Sequence, residues 1–429
     1  MKLFRVFLVV FCVGTLRSQS LYFPPNSGNE WAKTLPQELN WCESEIEDLY
    51  RYLDSQETDA FILLKDGKIV LEKYFGTFTE DSFHVWNSAG KTLTALTLGI
   101  AQQEGKLMLD SPSSTYLGKG WTSCSPDQED RIKLIHQITM STGLDDAVSN
   151  SDCTLPSCFL CITDAGSRWA YHNGPYTILD KVIQNATQQS LNQYVTNKIL
   201  SPIGMSGRYF TIGDNNVFIS KARSMARFGL LLLAKGMWAD KAIMSDTSYF
   251  RKMTNSSQSI NPSYGYLTWL NGKSFYMLPS TQFKFQGWLN PFAPEDMFAA
   301  IGKNGQLINI VPSQNLVFIR MGESGTSSGA VPITINNEIW RYINAFACNT
   351  STSDYFNQAI RIAYLEEMLR IENRDNINLN IKLVDLNGKE LQHLISDDSD
   401  ILIQSAHRSG IYFLQVESAY GIMVRKLVF

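Results

Sequence analysis

A chain of 429 residues with net charge −4 and 18% charged residues carries no basic footprint for a nucleic acid or another long polyanion. Its 44% hydrophobic and 12% aromatic content excludes a disordered chain, and its length implies two or three folded units.

The N-terminus is expected to be a cleaved export signal over residues 1–20. Lys2 and Arg5 precede an apolar run at 6–13, which is shorter than the ~20 residues a membrane helix needs. No later stretch reaches that length, so no integral membrane segment is expected after signal cleavage. Beyond Cys12 in the signal there remain Cys42, Cys124, Cys153, Cys158, Cys161 and Cys348, an even number that fits disulfides in an oxidising compartment. Cys42 and Cys348, at the start of the first expected helix and the end of the last in the main domain, are one suggestive pair. Cys153, Cys158 and Cys161 with His172 form an alternative zinc set, but structural zinc ligands usually come as two close pairs, and disulfides fit better.

Residues 21–40, with Pro24, Pro25, Gly28 and Pro36, read as an extended lead-in, and 41–53 as an amphipathic helix. Asp66-Gly67 between two apolar runs predicts a hairpin. A helix is expected from Ser88 to about Gly105, then helix and loop through 106–170. Further helices are expected over 177–185, 220–235 and 333–346. Residues 255–295, rich in Ser, Asn, Pro and aromatics, read as long surface loops. Strands return at 298–303, with a turn at Asn304-Gly305, and at 306–311 and 316–321. Strands at both ends of a helical middle make an α+β domain. Residues 350–375 are expected to be a connector, partly helical around 360–370, and 376–429 a small all-β module.

Three motifs carry chemistry. Ser88 and Lys91 share a helix face one turn apart, as a serine nucleophile and lysine base require. Backbone N–H groups of a first helical turn favour negative charge developing beside them. Burial or neighbouring positive charge would depress the lysine pKa, as a base near neutral pH needs. Tyr171-His172-Asn173, in a loop before a helix, supplies a phenol to relay the proton and an amide to hold a substrate carbonyl. Ala300-Ile301-Gly302-Lys303-Asn304-Gly305-Gln306 supplies an exposed strand of small residues that a substrate backbone can approach. Its N–H with that of Ser88 would form an oxyanion hole. His84, His136 and His172 are the candidates for a Ser-His-Asp triad, but none accompanies a Gly-x-Ser-x-Gly turn, and each reads as structural or surface.

In this order the three motifs resemble those of the serine β-lactamase and penicillin-binding-protein-like hydrolases, over about residues 45–348. The class C branch, with its esterases, D-amino-acid peptidases and 6-aminohexanoate-oligomer hydrolases, is the most similar. Residues 100–106, 139–144 and 296–302 add to the resemblance. It implies a β-lactamase/transpeptidase-like fold, an antiparallel sheet flanked by helices plus a helical subdomain, over residues 21–349. It further implies Ser88 as nucleophile, Lys91 as base and Tyr171 as proton relay, with neither cofactor nor metal. No Glu-x-x-Leu-Asn element is present for a separate deacylating glutamate. Two registers compete for the third motif: Lys303-Asn304-Gly305 itself, or Ala300-Ile301-Gly302 followed by the Lys303 backbone N–H. The second matches the esterase and amidase members better. It makes Ala300 and Gly302, with Asn173, the substrate-binding residues, and leaves no lysine side chain there for a β-lactam carboxylate. The expected activity is hydrolysis of an ester or amide of a small molecule or peptide. The alternatives are a β-lactamase, a D-amino-acid peptidase, or a non-catalytic penicillin-binding or surface-recognition protein.

The tail resembles the C-terminal sorting domain of the type IX secretion system, through Val384-Asp385-Leu386-Asn387-Gly388-Lys389, Gly410-Ile411-Tyr412 and the closing Val424-Arg425-Lys426-Leu427-Val428-Phe429. This implies the type IX machinery as a partner, passage through the periplasm, and a secreted or cell-surface protein from which the tail is removed. A carbohydrate-binding or adhesion module is the alternative for these residues.

Overall fold

The computed structural model describes residues 21–323, 325, 331–348, 359–365, 368–404, 410–419 and 421–428. The expected export signal and Cys12 lie outside these residues. Between Phe346 and Ala347 the chain divides into two compact units.

The first unit is built on a six-stranded antiparallel sheet. Its strands are β1 (Thr58–Lys65), β2 (Lys68–Tyr74), β3 (Trp269–Leu270), β4 (Phe298–Gly302), β5 (Gln306–Val311) and β6 (Leu316–Gly322), in the order β2-β1-β6-β5-β4-β3. Both hairpins expected from sequence form. Asp66 and Gly67 have φ of 52° and 83°, and Asn304 and Gly305 have 64° and 74°. Asp66-Gly67 makes the two-residue turn whose left-handed residues match the twist of paired strands, and Lys303-Asn304-Gly305 makes a three-residue loop between Gly302 and Gln306. Pairing of β1 with β6, from Thr58 against Gly322 to Lys65 against Leu316, joins the two ends of the unit.

Every residue of β5 and β6 is buried, because helices cover both faces. Helices α1 (Glu43–Ser55), α2 (Gly90–Gln103), α3 (Ala222–Leu233) and α4 (Ile333–Asn344) are the long ones. A Cβ on Gly229 of α3 would lie 2.6 Å from Val317, while Phe318 meets Trp340 of α4 at 5.4 Å. Successive strand residues point to opposite faces, so α3 and α4 cover opposite sides of the sheet. Helix α2 is buried from Gly90 to Ala101, so it runs through the core rather than over it. The lead-in is fastened to this body: Tyr22 N–H donates to Asp66 O (2.9 Å), and Arg227 Nη2 donates to Pro25 O (2.7 Å).

Residues 255–295 correct the sequence reading. Asn261, Tyr264, Leu267, Trp269 and Met277 are buried, and β3 belongs to the main sheet. The asparagines that looked like solvent-facing loop residues instead satisfy buried backbone. Asn261 pairs with Met277 N and O (3.1 and 3.3 Å), and the Asn271 amide donates to three carbonyls at 290, 293 and 294. The cysteine cluster forms the disulfides Cys124–Cys161 and Cys153–Cys158, so the zinc alternative loses its sulfurs. Cys42 and Cys348 are both disulfide-bonded.

The second unit contains β7 (Ile360–Leu365), β8 (Met368–Asn373), β9 (Leu379–Asp385), β10 (Glu390–Ser396), β11 (Asp400–Gln404), β12 (Ile411–Ser418) and β13 (Gly421–Val428). They form a three-stranded sheet, β7-β8-β11, and a four-stranded sheet, β10-β9-β12-β13. Leu369, Ile371, Leu379, Ile381, Leu383, Leu414 and Val416 share one core. The helix expected at 360–370 is absent. Leu369, Ile371 and Asn373 are buried at a period of two, which is a strand pattern, so the β module takes in residues expected to be connector. Residues 350–358 and 366–367 of that connector lie outside the described ones.

Candidate active site

The chain enters the site through the short strand His84–Val85, which pairs with Asn215–Ser220. Trp86 is then fully buried, with Nε1 donating to Ser220 Oγ at 2.8 Å. Asn87 turns the backbone at φ 48° and donates from Nδ2 to Lys303 O at 2.9 Å. A 3-10 turn, Asn87–Ala89, carries Ser88 into α2, whose second residue is Lys91. The serine therefore precedes the α-helix by two residues instead of opening it. The one-turn relation survives: Lys91 Nζ donates to Ser88 Oγ at 3.0 Å.

Lys91 is 1% exposed. Its Nζ lies 4.3 Å from the centre of the Tyr176 ring and 5.1 Å from that of Tyr171. Burial lowers its pKa to about 7, against a smaller opposing pull from the Asp152 carboxylate. An amine with that pKa is half deprotonated near neutral pH, as a general base must be.

The Tyr171 hydroxyl is close enough to Ser88 and Tyr264 for both to act on its titration. Its ring stacks on Trp269 at 6.0 Å and meets Tyr264 edge-on at 6.1 Å. Burial raises the phenol well above its usual range, so it stays protonated and able to donate. Asn173 donates from Nδ2 to Asp152 Oδ1 at 2.7 Å, which commits one of its amide hydrogens within the protein.

The third motif meets the nucleophile through Gly302. Strand β4 pairs with β3 only at Phe298 and Ala299, so Ala300–Gly302 have no partner on that edge among the described residues. A Cβ on Gly302 would lie 2.3 Å from Trp86 O and 3.1 Å from Ser88 N. Only glycine lets this strand reach the backbone at Ser88. Ala300, two residues earlier, shares the strand face of Gly302. Lys303 is exposed, and its backbone follows directly on Gly302. Gly305 faces elsewhere, where a Cβ would lie 2.2 Å from Arg320 Nη1.

The histidines stand apart from the serine. His84 Nε2 lies 3.2 Å from Asp59 Oδ2, and His136 Nδ1 accepts from Lys133 N at 3.1 Å. His172 is 2% exposed, and neither ring nitrogen has a hydrogen-bond partner among the described residues. Burial lowers its pKa to about 4. Sequence reasoning did not find Tyr176, Tyr264, Trp269, Asp152 or Arg320, which reach the site or its supports through tertiary contact. Arg320 is fully buried and donates from Nη1 to Gly305 O at 2.9 Å and from Nε to Thr58 Oγ1 at 2.8 Å, pinning the β4–β5 turn. Among the described residues no group of three His, Cys, Asp or Glu is placed to hold a metal, and no helix is long and apolar enough to cross a membrane.

Comparison with known proteins agrees with this architecture. "Protein flp" of Staphylococcus aureus strain N315 is 26% identical over 36% of this chain, and the match spans only 35% of that relative's length. A solved Bacillus anthracis protein named as a candidate 6-aminohexanoate-dimer hydrolase superposes with a TM-score of 0.58 at 20% identity, covering 75% of this chain and 88% of its own. A Mycobacterium bovis beta-lactamase superposes at 0.51 with 15% identity, covering 69% and 98%. These likenesses establish the fold. Residues 365–429 match the model of the secretion system C-terminal sorting domain, which marks an exported chain served by that machinery. Residues 52–332 match the Beta-lactamase family model, and the chain belongs to that family.

Proposed function

We propose that this protein is an exported serine hydrolase that cleaves an ester or amide through an acyl-enzyme on Ser88. The observation that carries the reading is the 3.0 Å contact between Ser88 Oγ and a buried Lys91 whose pKa is lowered to about 7. In the proposed reaction neutral Lys91 takes the proton of Ser88 Oγ as the oxygen bonds to the substrate carbonyl carbon. The carbonyl oxygen becomes an oxyanion held by the N–H groups of Ser88 and Lys303. Each donor aimed at such a charge contributes about 3 kcal/mol to the rate. The tetrahedral species collapses as the leaving oxygen or nitrogen takes a proton from Tyr171, which recovers one from Lys91. Water, deprotonated along the same route, then attacks the acyl carbon and releases the acid. The Ala300–Gly302 edge and Asn173 hold the acyl part. The expected export signal and the sorting tail make the product a secreted or cell-surface enzyme, and its substrate a small molecule or peptide.

An ester is preferred to a β-lactam because Ala300 stands where a lysine side chain would bind the lactam carboxylate. Turnover of p-nitrophenyl butyrate and of nitrocefin separates the two. Ester hydrolysis should dominate and should disappear in Ser88→Ala. Faster nitrocefin turnover would make the protein a β-lactamase instead. Ester turnover that survives Ser88→Ala would remove the serine mechanism.

A further inference from the structure

Asp152 has no step in the proposed reaction, yet it touches one of its groups and acts electrostatically on another. Its Oδ1 accepts from Asn173 Nδ2 at 2.7 Å, and its charge acts on Lys91. A carboxylate can only accept, so the amide must turn its NH2 toward Asp152 and its oxygen away. That oxygen, Asn173 Oδ1, is buried and has no hydrogen-bond partner among the described residues. Buried polar atoms are normally paired, so an acceptor left open here is available to a donor that arrives with the substrate or during turnover.

The segment carrying Asp152 is pressed onto the Tyr171–Gly174 loop. Gly174 N–H donates to Ser151 O at 2.8 Å, and a Cβ on Gly174 would lie 2.3 Å from Cys153 O. Asp152 N–H itself donates to Asn150 Oδ1 at 3.1 Å. The next residue begins the Cys153–Cys158 disulfide, which closes a short loop, and Cys124–Cys161 ties down its far side.

Resting on the hydrolase reading above, we propose that Asp152 is a positioning residue for the reaction: it fixes which way the Asn173 amide faces and supplies a negative charge that acts on Lys91, and the Cys153–Cys158 disulfide holds it there. The other titratable groups near Lys91 are phenols that burial keeps neutral: Tyr171, Tyr176, and Tyr264 behind Tyr171. Asp180 acts on Tyr176. His172, which also feels Asp145, Asp146, Arg168 and Asp152, is neutral above about pH 4. Asp152 is therefore the charge whose removal Lys91 would register.

The test is the rate at which a fluorophosphonate phosphonylates Ser88 with loss of fluoride, measured against pH in the full-length protein and in Asp152→Asn, Asp152→Ala and Asp152→Glu. Removing the carboxylate destabilises the lysine ammonium, so Lys91 loses its proton more readily. In Asp152→Asn and Asp152→Ala the acid limb of the profile should move to lower pH by about half a unit. Asp152→Ala should also slow the pH-independent rate about tenfold, because the amide loses its fixed facing. Asp152→Glu should restore the limb. A residue that merely stabilised the loop would change the rate or the unfolding temperature without moving the limb. An unmoved limb in Asp152→Asn would overturn the proposal. Failure of the unaltered protein to label at Ser88 would overturn the hydrolase reading, and this proposal with it.

Discussion

Lys91 spends folding stability to be a base. It is 1% exposed and packed against two phenol rings, and burial holds its pKa at about 7 rather than the usual 10.5. The unfolded chain binds a proton there that the folded chain sheds, so between about pH 7 and pH 10.5 stability should rise with pH. Lys91→Met should accordingly raise stability at pH 7 by about 2 kcal/mol while abolishing acylation. In denaturant melts the gap between the two proteins should close on going to pH 10; a constant gap would mean that Lys91 is not held neutral. Because burial holds His172 near 4, an acid limb near pH 7 in the rate would not be that of His172 and would fit Lys91. The Ser88–Lys91 contact was legible in the sequence because the two stand one turn apart, whereas Tyr171 was singled out through the resemblance. Asp152, Tyr176, Tyr264 and Arg320 were not, because nothing local to them distinguishes a residue that meets the site through folding.

Among the elements, the β4–β5 hairpin decides which triplet serves the nucleophile. Its two glycines do different work: Gly302 lies against the backbone at Ser88, and Gly305 sits at φ 74° over Arg320. Gly302→Ala should cut Ser88 acylation at least a hundredfold with the fold retained, since its Cβ would press on the Trp86 carbonyl and the Ser88 amide. Gly305→Ala should instead lower the unfolding temperature, through a strained left-handed alanine and a displaced Arg320. The reverse pattern would restore Lys303-Asn304-Gly305 as the working triplet. Both hairpins were legible because Asp-Gly and Asn-Gly act locally. Residues 255–295 and 360–373 were misread for opposite reasons. In the first, buried asparagines took backbone partners in place of water. In the second, alternation was too short to separate from helical spacing without its sheet partners.

At the scale of the molecule, the site joins residues 88–91, 171–173 and 302–303, which are far apart in sequence. They meet because β6 returns to pair with β1 while α2 runs buried through the unit. No propensity along the chain encodes that return; the order of the three motifs did, by resemblance, and the family match bears it out. The sorting tail was legible in the same way and forms its own β core. The most direct measurement of the central claim is peptide mass mapping after turnover of p-nitrophenyl butyrate is quenched in acid. The expected result is one butyryl group on the peptide containing Ser88, lost in Ser88→Ala and undiminished when the histidines are replaced. Ester turnover with Ser88 unmodified, or with the acyl group on another residue, would contradict it.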